Sequence, residues 1–242
     1  MPASYQRTFN RFEVKYLLPQ AEIRSLLSEL DGYLLPDPHG DGVWGYPVHS
    51  VYWDSADLTM FWEKIEGIKF RRKLRFRSYG DGEPFVEIKQ RLDRTIQKRR
   101  ARLPLDRMRS VFGWGRDPEP AADADIDDPI VAEAVLLRHS YRLEPRVAIR
   151  YRRRAFFGAY EPDLRLTFDT RVQYSTTRLE PAPPLETGKY LVDPRLAVME
   201  IKFNERVPLW LLRLVARRGL SLVRLSKYCG AVDREFFGSE LT

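Results

Sequence analysis

Apolar and polar residues alternate at every second position through several stretches of this chain, the mark of strands with one dry face and one wet face. The alternation around "RFEVKYLL" predicts a strand over 9–18 that stops at Pro19. Segments 68–79, 84–90 and 95–105 read the same way, with "GDGE" as the hairpin turn between the first two. "GYPVHSVYWDS", "PRVAIRYRRRAFFG", "DLRLTFDTRVQY" and 196–204 bring the set to about eight strands. Helical spacing marks "PQAEIRSLLSEL", with Pro19 suited to its first turn, and "ADLTMFWEKIEG", capped by Asp54 or Ser55. Two more helices are expected over 129–140 and 208–219, while Gly113 to Asp128 and "LEPAPPLETGKYLVDP" read as loops. About eight mostly antiparallel strands suit a small closed barrel. The expected fold is therefore α+β, one domain over 1–242, an eight-stranded mostly antiparallel β-barrel with helices packed outside.

Residue parity assigns the faces. Leu74 and Phe76 oppose Lys73, Arg75 and Arg77; Val86 and Ile88 oppose Glu87 and Lys89. Leu166 and Phe168 oppose Arg165, Thr167 and Asp169; Met199 and Ile201 oppose Glu200 and Lys202. A solvated outer face explains any one of these strands. Amphipathic helices, however, need an apolar sheet face to cover, which turns the charged faces inward in a closed barrel. Such a lining sets Lys15, Arg75, Arg77, Lys89, Arg153, Arg165 and Lys202 against Glu13, Glu87 and Glu200. Buried cations in excess are costly unless an anion enters, and phosphate chains suit both the fork of Arg and the point charge of Lys. Carboxylates beside them suit a divalent metal bridging phosphate oxygens.

Charge sharpens this picture. The 242 residues carry a formal +7, yet residues 69–102 alone hold thirteen Lys/Arg against four Asp/Glu, so one strip accounts for the excess. Arg71, Arg72, Arg99 and Arg102 are expected on a solvated outer face of that strip. The single cysteine, Cys229, excludes an intrachain disulfide and fits a reducing compartment. "MPASYQRTFN" has no signal-peptide core, and the late apolar stretch is broken by Arg213, Arg217 and Arg218. A soluble, cytoplasmic protein without a transmembrane segment is expected. His39, His49 and His139 form no evident catalytic set.

Nine segments in order, "RFEVKYLL", "VYWDS", "KLRFRSYG", "FVEIKQR", "TIQKRRARL", "YRRRAFF", "LRLTFDT", "VMEIKFN" and "LSKYCGAV", resemble the VTC domain. That is the polyphosphate polymerase branch of the triphosphate tunnel metalloenzyme (CYTH-like) superfamily. The resemblance implies a triphosphate tunnel, ATP and inorganic polyphosphate as partners, and a divalent metal, manganese before magnesium. It implies transfer of the terminal phosphoryl of ATP onto a growing polyphosphate chain. By motif, Lys15, Arg75, Arg77, Lys89, Arg153 and Arg165 would bind phosphates, with Lys98 and Arg100 as a further basic contact beside Lys202. Glu200 would be the main metal ligand, with Glu13 and Glu87 as candidates, and Lys227 with Arg224 would lie where transfer occurs. Tunnel triphosphatases begin with E-x-E-x-K; here Arg11 stands at the first glutamate, which favours the polymerase branch. A tunnel triphosphatase and a non-catalytic binder of polyphosphate or nucleic acid are the alternatives. The interspersed glutamates count against nucleic acid. Oligomeric state is not legible.

Overall fold

A computed structural model describes residues 11–38, 40, 45–80, 82–93, 95–113, 126–180 and 188–238. His39, the start of the first predicted strand and much of both predicted loops lie outside these. The chain divides into two compact units, the first formed by Met1–Tyr46, Arg152–Arg171 and Val192–Leu225. The second comprises Pro47–Tyr151, Val172–Leu191 and Ser226–Thr242.

The first unit contains strands β1 (Arg11–Pro19), β2 (Leu34–Pro36) and β10 (Leu196–Asn204), with helices α1 (Glu22–Glu29) and α5 (Leu209–Arg217). It also takes the later part of β7 (Glu144–Gly158) and the earlier part of β8 (Arg165–Ser175). The strand order is β1-β10-β8-β7, and β2 pairs with the end of β7. Pro19 does not open the helix as its sequence suggests. It pairs with Leu196 as the last residue of β1, and Gln20 N–H then donates to the Arg195 carbonyl at 2.8 Å. A residue lacking an N–H is tolerated at a strand end, so the pairing wins. The core lies where Ile23 and Leu26 of α1 and Leu211 and Leu214 of α5 meet Tyr16, Leu18, Leu166, Phe168, Met199 and Ile201.

The second unit holds β3 (Tyr46–Asp54), β4 (Phe70–Tyr79), β5 (Phe85–Leu92), β6 (Thr95–Arg102) and the short β9 (Lys189–Tyr190). Its helices are α2 (Thr59–Ile65), α3 (Leu105–Phe112), α4 (Pro129–Tyr141) and α6 (Lys227–Val232), the last running into a π-helical turn at Asp233–Phe237. The earlier part of β7 joins it in the order β7-β3-β4-β5-β6. The helix α2 starts later than its sequence suggests, with Leu58 rather than Asp54 or Ser55 at its N-cap, but both residues still satisfy its first turn: Asp54 accepts from the N–H of Met60 and Phe61 at 2.8 and 3.0 Å, and Ser55 Oγ from Thr59 N–H at 3.0 Å. Pro104 ends the predicted 95–105 strand early, and α3 follows because Met108, Val111 and Phe112 fall on one helical face. Those three and Val131, Ala134 and Leu137 of α4 cover Val51, Trp53, Leu74, Phe76, Val86 and Ile88. Phe76 and Phe112 meet edge to face at 4.8 Å.

The α+β, mostly antiparallel class stands, with helices on the apolar sheet faces as expected. The eight-stranded barrel is a looser description of it: among the described residues ten strands form and the ladders end at β1 and at β6, each with one strand partner only. Alternation in sequence sets a strand's two faces but not the pairing that would close a barrel. Among the described residues no helix is long and apolar enough to cross a membrane.

Candidate phosphate-binding faces

The first unit keeps its charges on the face opposite α1 and α5, in cross-strand rows. Lys15 of β1 stands opposite Glu200 of β10, which stands opposite Thr167 of β8. One step along, Glu13, Lys202 and Arg165 form a second row, so β1 and β10 oppose charges of opposite sign while Lys202 and Arg165 are both cationic. Lys15 pairs with Glu13, and Lys202 Nζ lies 3.3 Å from Glu200 and 3.7 Å from Glu13. Arg153 grips Asp169 with two donors and reaches Glu200 Oε2 at 3.2 Å. Arg165 donates to Asp37 at 2.9 Å and stacks its guanidinium 5.1 Å from the Phe157 ring.

The charges at the centre of this face are shielded from water, while Glu13 is exposed. Arg153, Thr167, Asp169 and Glu200 are all buried, Asp169 completely. Burial pushes the Lys202 ammonium below its ordinary value against the pull of Glu200 and Glu13. Burial also pushes the Glu13 carboxyl up, but Lys202 and Lys15 more than offset it and hold it low. Thr167 Oγ1 is buried without a hydrogen-bond partner among the described residues, directly across from Glu200.

The second unit arranges its charges by the same parity on the face away from α3 and α4. Its first row runs Ser50, Arg77, Phe85, Arg102, and its second Tyr52, Arg75, Glu87, Arg100. The third is Lys73, Lys89, Lys98, and the fourth sets Arg71 against Arg91. On β4, β5 and β6 that face carries nine Lys/Arg and one carboxylate, Glu87. Glu87, buried, accepts Arg75 Nε at 2.7 Å and meets Lys98 Nζ at 2.7 Å. Burial alone would raise its carboxyl; Arg75, Arg77 and Lys98 bring it down to about 2. Burial lowers Lys98 to about 8, Glu87 opposing and Arg75 and Arg77 assisting. Arg77 donates to Ser50 Oγ at 2.8 Å, and Arg100 and Arg102 lie over the Phe85 ring.

Tyr52 links this face to α6. Its hydroxyl accepts from Arg75 Nη1 at 2.9 Å, and its ring stacks on Tyr228 at 5.1 Å. Burial pushes the phenol up, but Arg75 and Arg77 prevail and lower it to about 8. The Tyr228 hydroxyl donates to Asp54, the same carboxylate that accepts from the first turn of α2. Lys227, the first residue of α6, lies with Nζ 4.9 Å from the Tyr151 ring centroid. Arg224 is exposed and belongs to the first unit, whereas Lys227 belongs to the second.

The VTC domain family model matches residues 10–236, a span that holds every strand bearing these charges. The chain belongs to the VTC domain family. Among solved structures it is similar to a putative adenylate cyclase from Vibrio parahaemolyticus, at 12% identity and TM-score 0.48, covering 93% of this chain and 99% of that one. The PH1819 protein from Pyrococcus horikoshii is similar at 10% identity and TM-score 0.47, covering 93% and 99%. Both likenesses are too slight to bear on function. No curated protein matches the sequence significantly. Family membership supports a role with triphosphate or polyphosphate, an enzymatic one, and a divalent metal.

Within this VTC domain the residues matched by motif are distributed over both faces. Lys15, Arg153, Arg165, Lys202, Glu13 and Glu200 share the first unit's; Arg75, Arg77, Lys89, Lys98, Arg100 and Glu87 share the second's. Two arginines expected on a solvated outer face are instead on the charged one: Arg71 opposite Arg91, and Arg102 opposite Phe85. Parity counted from Arg75 and Arg100 would have found them. Arg72 and Arg99 do lie on the helix side, where they reach Tyr141 and Glu133 of α4. Among the described residues no three His, Cys, Asp or Glu side chains gather as a closed metal site. Glu13 and Glu200, diagonal neighbours on adjacent strands, and the unpartnered Thr167 hydroxyl nevertheless fit a hard divalent cation that completes its shell with phosphate and water oxygens. Glu87 is a poorer ligand, since Arg75 and Lys98 already engage its two oxygens.

Proposed function

We propose that this VTC domain is a polyphosphate polymerase, moving the terminal phosphoryl of ATP onto the end of an inorganic polyphosphate chain. The observation that carries the reading is the nine-to-one cationic face on β4–β6. Phosphoryl transfer has a loose transition state, so positioning and charge stabilisation supply most of the catalysis. Arg75, Arg77, Lys89, Lys98 and Arg100 hold triphosphate oxygens, Glu87 fixing the aim of Arg75 and Lys98. Lys15, Arg153, Arg165 and Lys202 bind phosphate on the other face. Glu200 with Glu13 holds the divalent cation, whose chemistry when bound is to neutralise charge on neighbouring phosphate oxygens. Lys227 and Arg224 stabilise charge at the transferred group. The attacking oxygen of the chain end is already anionic near neutral pH, so no general base is required. The bond from the terminal phosphorus to its bridging oxygen breaks, ADP departs, and a new phosphoanhydride extends the chain. With ATP as donor, the cytoplasm is the natural site of action.

Incubation with ATP and manganese, with magnesium in parallel, followed by gel separation, tests this directly. A ladder of growing polyphosphate is expected. Orthophosphate without a ladder would mark a triphosphatase instead, and neither product would mark a non-catalytic binder.

A further inference from the structure

Asp54 and Tyr228 take no direct part in phosphoryl transfer, yet the second unit buries both and joins them by a hydrogen bond. Asp54, the last residue of β3, is completely buried, and its carboxylate accepts four hydrogen bonds. Oδ1 takes the N–H of Ser55 and of Met60, each at 2.8 Å. Oδ2 takes the Phe61 N–H at 3.0 Å and the Tyr228 hydroxyl. Three of these donors belong to the chain running from β3 into α2. The fourth comes from α6, far away in sequence. A hydrogen bond to an ionised acceptor is stronger than a neutral one, so the tyrosine contact is a firm tether. Burial first, and then Asp54, push the Tyr228 phenol up, so it keeps its proton and stays the donor.

The tether matters because of the residue before Tyr228. Lys227 is the first residue of α6, a helix of only six residues. Isolated helices shorter than about 12 residues are marginal in water, so α6 takes its direction from what it packs on. Tyr228 supplies three of those contacts: its hydroxyl on Asp54, its ring stacked on Tyr52 at 5.1 Å, and Lys73 Nζ 4.8 Å from its ring centroid. Ring contacts tolerate sliding, whereas a hydrogen bond to a fixed carboxylate weakens steeply when its angle changes. Turning α6 about its axis would break that bond and carry Lys227 Nζ away from the Tyr151 ring, over which it sits at 4.9 Å. We infer that the Asp54–Tyr228 hydrogen bond positions Lys227, by setting the direction of α6 and with it the place where the lysine meets the transferred phosphoryl. Asp54 and Tyr228 are thus positioning residues. This rests on the reading of Lys227 as part of the transfer site.

NMR of the full chain labelled with ε-13C lysine tests this without ATP. The Lys227 methylene resonance, identified by its loss in Lys227→Arg, should lie upfield because the side chain ends over the Tyr151 ring. Tyr228→Phe keeps the ring and deletes only the hydroxyl, so most of that displacement should vanish. A change that merely weakened the fold would leave the spectrum of the folded protein as it was. Asp54→Asn, which takes one acceptor oxygen from the pair, should move the same resonance. Tyr228→Phe leaves the three N–H bonds of Asp54 in place, so it carries the test alone if the asparagine variant fails to fold. In the ladder assay Tyr228→Phe should lower kcat by about tenfold or more, with KM for ATP changed by less than about twofold. A Lys227 resonance with no displacement in the parent, or one that stays put in Tyr228→Phe, overturns the positioning role. So does a shifted resonance with parental kcat. If the parent makes no ladder, the polymerase reading fails, and the resonance still decides whether Tyr228 directs Lys227.

Discussion

Arg153 and Asp169 face each other as a bidentate pair, Nε to Oδ1 at 2.6 Å and Nη2 to Oδ2 at 2.7 Å, both side chains buried. The pair aims the guanidinium, whose Nη2 also reaches Glu200. In the proposed function Asp169 acts on phosphate through Arg153, by orienting it. Asp169→Asn breaks a buried ion pair and should cost about 3–5 kcal/mol by denaturant unfolding. A loss near zero would mean that Arg153 is positioned by other contacts.

Glu200→Gln keeps the shape of the side chain and removes its charge, so manganese binding should fall by about tenfold or more, and stability should fall as well because the buried carboxylate pairs with Arg153 and Lys202. Lys227→Ala should instead leave metal binding intact and abolish ladder growth. Titration calorimetry and the gel assay separate the two. Normal polymer yield from either variant would remove that residue from the mechanism.

Thr167→Val discriminates a ligand from a packing residue. A buried hydroxyl without a partner costs about 1–3 kcal/mol, so the isosteric methyl should leave stability unchanged or raise it. Metal or triphosphate affinity should drop in the same variant and return with Thr167→Ser. A stability loss with unaltered affinity would place Thr167 in packing alone.

Phosphate binding should weaken as pH rises through about 8. Lys98 and Tyr52 both titrate at about 8. Above it Lys98 loses its positive charge and Tyr52 acquires a negative one, and both changes repel an anion. Tripolyphosphate affinity measured from about pH 7 to 9, where free carboxylates and arginines do not titrate, reads this step. Lys98→Arg/Tyr52→Phe should flatten the profile, because neither replacement titrates there. An unchanged profile would assign the step elsewhere.

Much of this was written into the sequence. Alternation by twos placed Arg75 and Arg77 opposite Leu74 and Phe76, and Glu200 and Lys202 opposite Met199 and Ile201, because side-chain direction is a local property of a strand. The segments carrying the VTC resemblance were local in the same sense. What tertiary structure alone decided was register. That Glu200 meets Lys15 and Thr167, that Glu87 lies between Arg75 and Arg100, and that three lysines align across β4–β6 depend on pairings between strands, some of them far apart in sequence. The open ladder ends at β1 and β6 were hidden for the same reason. A strand's own pattern fixes which way its side chains point, but not which neighbour they meet, since a shift of two residues preserves every face and changes every partner.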